Sequence, residues 1–414
     1  MNHVAVAVIG GGPSGLTAAA TLAPLVDGEV LVLEREAQTG GIPRHSDHPG
    51  YGMRDLHRFI SGPEYARRLS AMAADAGAVL ETEAMVTGWA GERTLQVTSP
   101  RGVRTVTADA VILATGARER PRPARLVPGD RPDGVYTTGQ LQNLVHLHHA
   151  RVGSRAVIVG AELVSWSAAL TLRESGCATA AMVSAYPRAE AYAAFRSAGR
   201  LLLDGPVLTG SAVVGIHGKD RVRSVTVEHT ATGERREIAC DTVVFTGDWI
   251  PDHELARTAG LQMDPATRGP VVDPALRTSR PGVFAVGNLL HPVDTADGAA
   301  LDGRHVASAV RAWLTSRDEA APTPAVAPIR VETPLRWVAP QLVSADGGIP
   351  ARGDLLLWTD EYRRLPKLRA VQDGRVLATK RTPWPAAPGR IYRAPWSLVA
   401  DADPKGGAVT LSLT

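Results

Sequence analysis

Gly10, Gly12 and Gly15 follow an apolar run at residues 4–9 and open an alanine-rich stretch at 16–25, and Glu34 closes the next apolar run 19 residues after Gly15. Residues of these types at this spacing build a cradle for a dinucleotide. Gly10 permits the tight turn, Gly12 lets the main chain approach a pyrophosphate, and Gly15 lets helix and strand pack closely. Residues 16–25 read as the helix, whose N-terminus presents free N–H groups to an anion, and Glu34 can accept hydrogen bonds from a ribose diol. The competing reading is a purely structural glycine turn. This half of the motif does not by itself say which dinucleotide is bound.

A second strand, turn and helix pattern opens at Arg155 and keeps only the first of the three glycines, as Gly160, Glu162 and Ser165. Glu162 falls where the main chain would meet a pyrophosphate, and a carboxylate there adds bulk and like-charge repulsion. The expectation is a retained fold with a vacated nucleotide site.

Other elements must position these turns. Ser61 with Glu64 three residues on has capping-box spacing and predicts a helix from there to about residue 76. Short β-type runs follow at 85–89, 94–98, 104–107 and 110–114, and the second unit closes with a strand at 242–246. The chain returns through 249–256 to a strand at 283–286 and a last helix at about 297–313. A Pro/Ala-rich stretch at 319–328 reads as a linker. Beyond it, residues 329–414 hold four of the eight tryptophans and β-type runs at 355–358, 368–371, 376–379 and 408–413, which predicts a packed β module.

The chain has 414 residues, 44% of them hydrophobic, and a net charge of +3 carried by dispersed arginines, so nothing suggests a nucleic-acid-binding stripe. No window reaches the roughly 18 apolar residues of a membrane span, and the expected location is the cytoplasm. Only two cysteines, Cys177 and Cys240, are present and they lie far apart. They cannot form a CxxC pair, a four-cysteine zinc site or an iron–sulfur cluster, so redox chemistry must come from an organic cofactor.

Two further segments carry a resemblance. The run AVILATG from Ala110 to Gly116 and the run TSRPGVFAVGN from Thr278 to Asn288 resemble the second and third conserved strands of FAD-binding domains. With the first turn, they make residues 4–315 similar to the two-dinucleotide-domain flavoproteins of the glutathione-reductase-like superfamily. The runs from Gly40 to Tyr51 (GGIPRHSDHPGY) and from Val159 to Ser165 (VGAELVS) are most similar to the FAD subunits of amine, opine and amino-acid dehydrogenases and of hydrogen cyanide synthase. The implied fold is α/β: a Rossmann-like FAD domain at 1–120 and 257–318, an inserted, degenerate NAD-type domain at 121–256, the linker, and the C-terminal β module.

The same resemblance implies FAD ligands at Gly10, Gly12, Pro13, Ser14, Gly15, Glu34, Arg35, Gly41, Thr115, Gly116, Gly287 and Asn288. Asn288 stands where the family has aspartate. The last helix would point its N-terminus, worth roughly half a positive charge, at the flavin N1/C2=O edge, with backbone contacts at Ala300 and Leu301. Disulfide reductases of the superfamily carry a cysteine pair shortly after Gly40-Gly41, and this chain has Pro43 and His48 there. Dithiol exchange is therefore excluded.

The resemblance also places the loop bearing Arg44, His45, Asp47, His48 and Tyr51 near the flavin ring. Hydride transfer from a C–H beside nitrogen or oxygen to flavin N5 needs a base, and histidine titrates in the useful range. His48 is the first candidate and His45 the second, with Arg44 or Arg54 to pair with a substrate carboxylate. The plain alternative is a set of loop residues that shape the pocket. The His45/His48 and His146/His148/His149 spacings lack a second ligand pair, so no metal is expected. His253 and Glu254 read as hinge residues, and His291 and Asp294 as either flavin-facing or helix-capping.

The resulting expectation is an FAD-dependent dehydrogenase or oxidase of a small amine, amino acid or hydroxy acid. Its electrons would pass to a partner subunit or an iron–sulfur acceptor that the partner brings. Alternatives are an NAD(P)H-dependent flavin reductase and a non-catalytic, flavin-stabilised member of a hetero-oligomer.

Overall fold

The computed structural model describes residues 2–191, 203–316 and 324–414. The chain forms two compact units, one made of Met1–Arg44, Gly50–Ala117 and Pro251–Thr414, the other of His45–Pro49 and Arg118–Ile250.

The first unit is built on a parallel sheet ordered Val79–Glu81, Val30–Leu33, Asn2–Ile9 and Gly102–Leu113, with Val283–Ala285 alongside the end of the last. Val30–Leu33 and Val283–Ala285 are short apolar runs, buried throughout because both faces are covered, as parallel sheets require. The helices Pro13–Leu22, Gly62–Asp75 and Ala296–Ser316 belong to this unit. The Ser61 cap forms as the sequence predicts, its hydroxyl accepting from the Glu64 N–H at 3.5 Å. The sequence divides 104–114 into two strands, but the chain forms one, Gly102–Leu113. Its first half joins an antiparallel hairpin with Thr94–Ser99 and Met85–Trp89, and its second half joins the parallel sheet.

The same unit contains the C-terminal β module, which has its own core around Leu355, Leu357, Leu368, Tyr392, Val409 and Leu411. Its larger sheet runs Leu342–Ser344, Val326–Val331, Val409–Leu413, Lys367–Gln372 and Arg375–Arg381, and a smaller one runs Leu335–Ala339, Asp354–Thr359 and Tyr392–Pro395. The expected linker at 319–328 is corrected here, because residues from Val326 onward are already strand. Residues 319–323 lie outside the described residues.

The second unit holds a five-stranded parallel sheet ordered Val135–Thr137, Thr242–Phe245, Arg155–Val159, Ala178–Val183 and Val207–Leu208. An antiparallel sheet of Ser211–His217, Ser224–His229 and Arg235–Ala239 completes it. Helix Leu163–Glu174 follows its first-turn glycine, so the strand, turn and helix order of the first unit recurs.

Ile112 is fully buried, its Cα paired with Val8 on one side and Phe284 on the other. Ile112→Ala is expected to destabilise the first unit by about 2–5 kcal/mol through lost transfer energy plus the cavity. The check is a lower midpoint of the first unfolding transition in urea, and an unchanged midpoint would contradict this assignment of the core.

Candidate functional site

The first turn has the geometry its glycines require. Gly10 has φ +106°, and a Cβ there would lie 2.5 Å from the Ala114 carbonyl oxygen. A Cβ on Gly15 would lie 2.0 Å from the Gly10 carbonyl oxygen, which is the close helix–strand approach itself. Gly12 and Gly116 face open space, and Gly41 closes the cradle from the side, where a Cβ would lie 3.0 Å from the Gly12 Cα. Gly12 caps helix Pro13–Leu22 without any side-chain hydrogen bond, so the helix start keeps N–H groups for an anion. Glu34 is buried, accepting from the Gly11 N–H at 2.8 Å through Oε2 and from the Glu36 N–H at 2.9 Å through Oε1. Each carboxylate oxygen keeps further accepting capacity for a ribose diol. An open, glycine-walled cradle with a fixed carboxylate fits the diphosphate and ribose of a dinucleotide.

The last helix leans on the same turn. A Cβ on Gly303 would lie 2.0 Å from the Ser14 carbonyl oxygen, and one on Gly287 would lie 2.6 Å from the Ser14 hydroxyl. Ser14, Gly287 and the helix bearing Ala300 and Leu301 are thus brought together at the mouth of the cradle. Thr115 donates to the Asp252 carbonyl at 2.7 Å, while Arg35 is largely exposed and 3.5 Å from the Asp252 carboxylate.

The second turn is filled. A Cβ on Gly247 would lie 1.5 Å from Glu162 Oε1, so the carboxyl packs directly against that glycine. Burial pushes Glu162 up from 4.5 to about 8, and Glu190 and Glu119 reinforce the shift while Arg125 opposes it. Arg125 donates to the Thr246 and Gly247 carbonyls at 3.1 and 2.6 Å, and its guanidinium lies 5.2 Å from the centre of the Phe245 ring. Ser165, in place of the third glycine, is fully buried and 2.6 Å from the Thr246 hydroxyl. The second turn thus carries a buried acid against Gly247, neutral below about pH 8.

Residues 4–312 match the family model described as pyridine nucleotide-disulphide oxidoreductase. The chain belongs to this family. It is 27% identical over 318 residues to the ferredoxin reductase component of chlorobenzene dioxygenase from Cupriavidus sp. (strain PS12), covering 70% of this chain and 73% of that one. It is 30% identical over 335 residues to an opine oxidase subunit from Agrobacterium tumefaciens (strain Ach5), covering 72% of this chain and 62% of that relative. Among solved structures, thioredoxin reductase from T. acidophilum superposes with a TM-score of 0.64 at 21% identity, over 75% of this chain and 99% of that one. The fold is that of flavin-dependent oxidoreductases, and the chain is an enzyme of that kind.

Other members of the candidate set are distributed differently from the expectation. Arg44 belongs to the first unit, where it donates to the Gln38 carbonyl at 2.9 Å and sits 3.8 Å from Glu36. His45 and His48 belong to the second unit. There His48 Nδ1 is 2.9 Å from the Pro49 carbonyl, which can only accept, so Nδ1 carries the proton and Nε2 accepts from the Ser46 hydroxyl at 3.1 Å. Gln142 continues the chain, donating to Ser46 at 3.3 Å and to Ser167 at 2.7 Å. Arg54 does not wait for a carboxylate substrate: its Nη1 donates to Thr295 at 2.6 Å and lies 3.5 Å from Asp297, and its N–H donates to Asp297 at 3.0 Å. His146 is 3.2 Å from the Thr171 hydroxyl. His253 Nδ1 donates to the Arg268 carbonyl at 2.5 Å.

The sequence pointed to His291 and Asp294 but not to their buried partners Asp302, Arg352 and Arg393 in the first unit. His291 donates from Nε2 to Asp302 at 2.6 Å, and its Nδ1 has no partner among the described residues. Burial would raise both Asp294 and Asp302. Arg393 and Arg352 more than offset this at Asp294, which is held down to about 2, and His291 and Arg352 do the same at Asp302. The available signal was the pair Gly298 and Gly303 inside a helix, since a mid-helix glycine costs about 1 kcal/mol and marks a close approach.

Glu162 sets a pH dependence. A carboxyl raised on folding is stabilising relative to its ionised form at low pH, and that contribution is lost as pH rises from about 4.5 through about 8. Glu162→Gln, which cannot ionise, is expected to lose less thermal stability than the wild type between about pH 5 and about pH 8. Parallel melting curves for the two proteins across that range would contradict the neutral, buried assignment.

Proposed function

We propose that the chain binds FAD in the first cradle and uses it to oxidise a small amine, amino acid or hydroxy acid, passing the electrons to a partner protein or another acceptor. The observation that carries this reading is the contrast between the two turns, one open at Gly12 and the other filled by Glu162. With the nicotinamide-dinucleotide position taken by an acid, the reducing equivalents come from an organic substrate. The absence of a cysteine pair after Gly41 argues against a disulfide as the next redox partner. The similarity to the opine oxidase protein supports substrates with a C–H next to nitrogen.

FAD in this position supplies the hydride acceptor. Gly12, Ser14 and Gly15 would hold its diphosphate, Glu34 a ribose diol, and the start of helix Ala296–Ser316 would favour negative charge developing on the reduced ring. His48 is the proposed proton acceptor. Its proton on Nδ1 is fixed by the Pro49 carbonyl, leaving Nε2, hydrogen-bonded to Ser46, as the basic nitrogen. Cys177 and Cys240 are both buried, and burial pushes their thiols up to about 11 and about 12. An iron–sulfur acceptor would therefore reside on another chain.

Anaerobic mixing of the FAD-loaded protein with a panel of amines, amino acids and hydroxy acids is expected to bleach the flavin with at least one of them. His48→Gln is expected to slow that step by about 10²–10⁴-fold. Fast stoichiometric bleaching by NADH or NADPH, with none by the panel, would replace this reading with that of a flavin reductase.

A further inference from the structure

We propose that the C-terminal β module is a working part of the dinucleotide site, with Arg352 and Arg393 as positioning residues that hold the wall of the cradle through Asp294. The inference rests on FAD occupying the first turn and is independent of which substrate reduces it.

The wall is the loop between Gly287 and helix Ala296–Ser316. Gly287 abuts Ser14 of the glycine turn, and Gly303 of the helix abuts the Ser14 main chain, so a shift of either element alters the cradle mouth. Asn288 closes this loop from within: its Oδ1 accepts from the Asp294 N–H at 3.0 Å and its Nδ2 donates to the Asp294 carbonyl at 3.1 Å. An ionised aspartate could make the first of these bonds but not the second, which accounts physically for an amide at this position.

The Asp294 side chain, pinned by the Thr295 N–H at 2.8 Å, turns toward the module. Arg393 Nη2 reaches both of its oxygens at 2.7 and 2.6 Å, and Arg352 Nη1 lies 3.4 Å from it. Arg352 Nη1 also donates to the Gly298 carbonyl in the first turn of the helix at 2.8 Å, and Nη2 is 3.7 Å from Asp302. A Cβ on Gly298 would lie 2.4 Å from Asp294 Oδ2, so a glycine lets carboxylate and helix close up. Asp294 therefore has its backbone held by the residue beside the cradle and its side chain held by two arginines far downstream in the sequence. Charged hydrogen bonds of this kind are strong and directional when buried.

The module has a second polar anchor that serves as the control. Arg277 pairs with Asp346 through Nη1 at 2.8 Å and with Asp273 through Nε at 2.7 Å, and makes none of the contacts that hold Asp294. Its loss should loosen the module without moving the 287–294 loop.

The test is reconstitution of full-length apoprotein with FAD, with the dissociation constant read from quenching of flavin fluorescence. Arg393→Gln is expected to weaken FAD binding about tenfold, and the double variant with Arg352→Gln more than that. Arg393→Lys should stay within about threefold of wild type, and Arg277→Gln within about twofold even though it melts earlier. Wild-type affinity in a folded Arg393→Gln protein would overturn the proposal, as would an equal loss in Arg277→Gln. Should the double variant fail to fold, the Arg393→Gln and Arg393→Lys pair decides alone. A wild-type protein that takes up no FAD would instead overturn the cofactor reading beneath it.

Discussion

The structure depends on what occupies the glycine turn that follows Asn2–Ile9 in the first unit and Arg155–Val159 in the second. A helix start with a glycine turn presents unpaired N–H groups and a positive dipole end, and something negative or polar must answer them. In the first unit the answer is left open at Gly12. In the second the Glu162 side chain makes no capping bond to the helix, and its carboxyl, held neutral by burial, rests against Gly247 instead. The same supersecondary pattern thus yields one turn open at Gly12 and one that carries a buried carboxyl at Glu162 and a buried hydroxyl at Ser165.

The acid at 162 shapes its surroundings. A buried acid needs compensation, and the second unit supplies Arg125, bonded to the Thr246 and Gly247 carbonyls behind Glu162. Glu119, buried beside them, accepts from the Gly139 N–H at 2.9 Å. Restoring a glycine at 162 alone would leave this polar lining in place, so the site is remodelled and not merely obstructed. In the first unit the charged seam runs the other way. Asp294 and Asp302 are ionised because Arg352, Arg393 and His291 surround them. Breaking one side of such a buried pair costs far more than the pair contributes, about 3–5 kcal/mol, which makes the module hard to detach from the cradle wall.

The glycine turns, Glu34 and the Ser61 cap were legible because their physics is local: tight turns, close approaches and capping are set by residues within a few positions of one another. The single strand Gly102–Leu113 was not legible, since Asp109 interrupts its apolar run. Its main-chain carbonyl accepts from Trp313 Nε1 at 2.9 Å, a partner 204 residues away. Strand Val326–Val331 was read as linker because it contains Pro328, and proline normally argues against a paired strand. The role of Asn288 was legible only as a departure from the family's aspartate, because its partner is a main-chain segment six residues on. Arg352 and Arg393 could not be found at all without knowing that the module packs against residue 294. Arg54 looked like a substrate anchor because its charge was visible and its distant partners Thr295 and Asp297 were not.

The most direct measurement is the number of adenine dinucleotides that one chain holds. Equilibrium dialysis of the full-length protein against FAD, NADH and NADPH, with adenine quantified after denaturation, should return one FAD per chain and no retained nicotinamide nucleotide. A second dinucleotide bound per chain, or nicotinamide retained in place of FAD, would contradict the account.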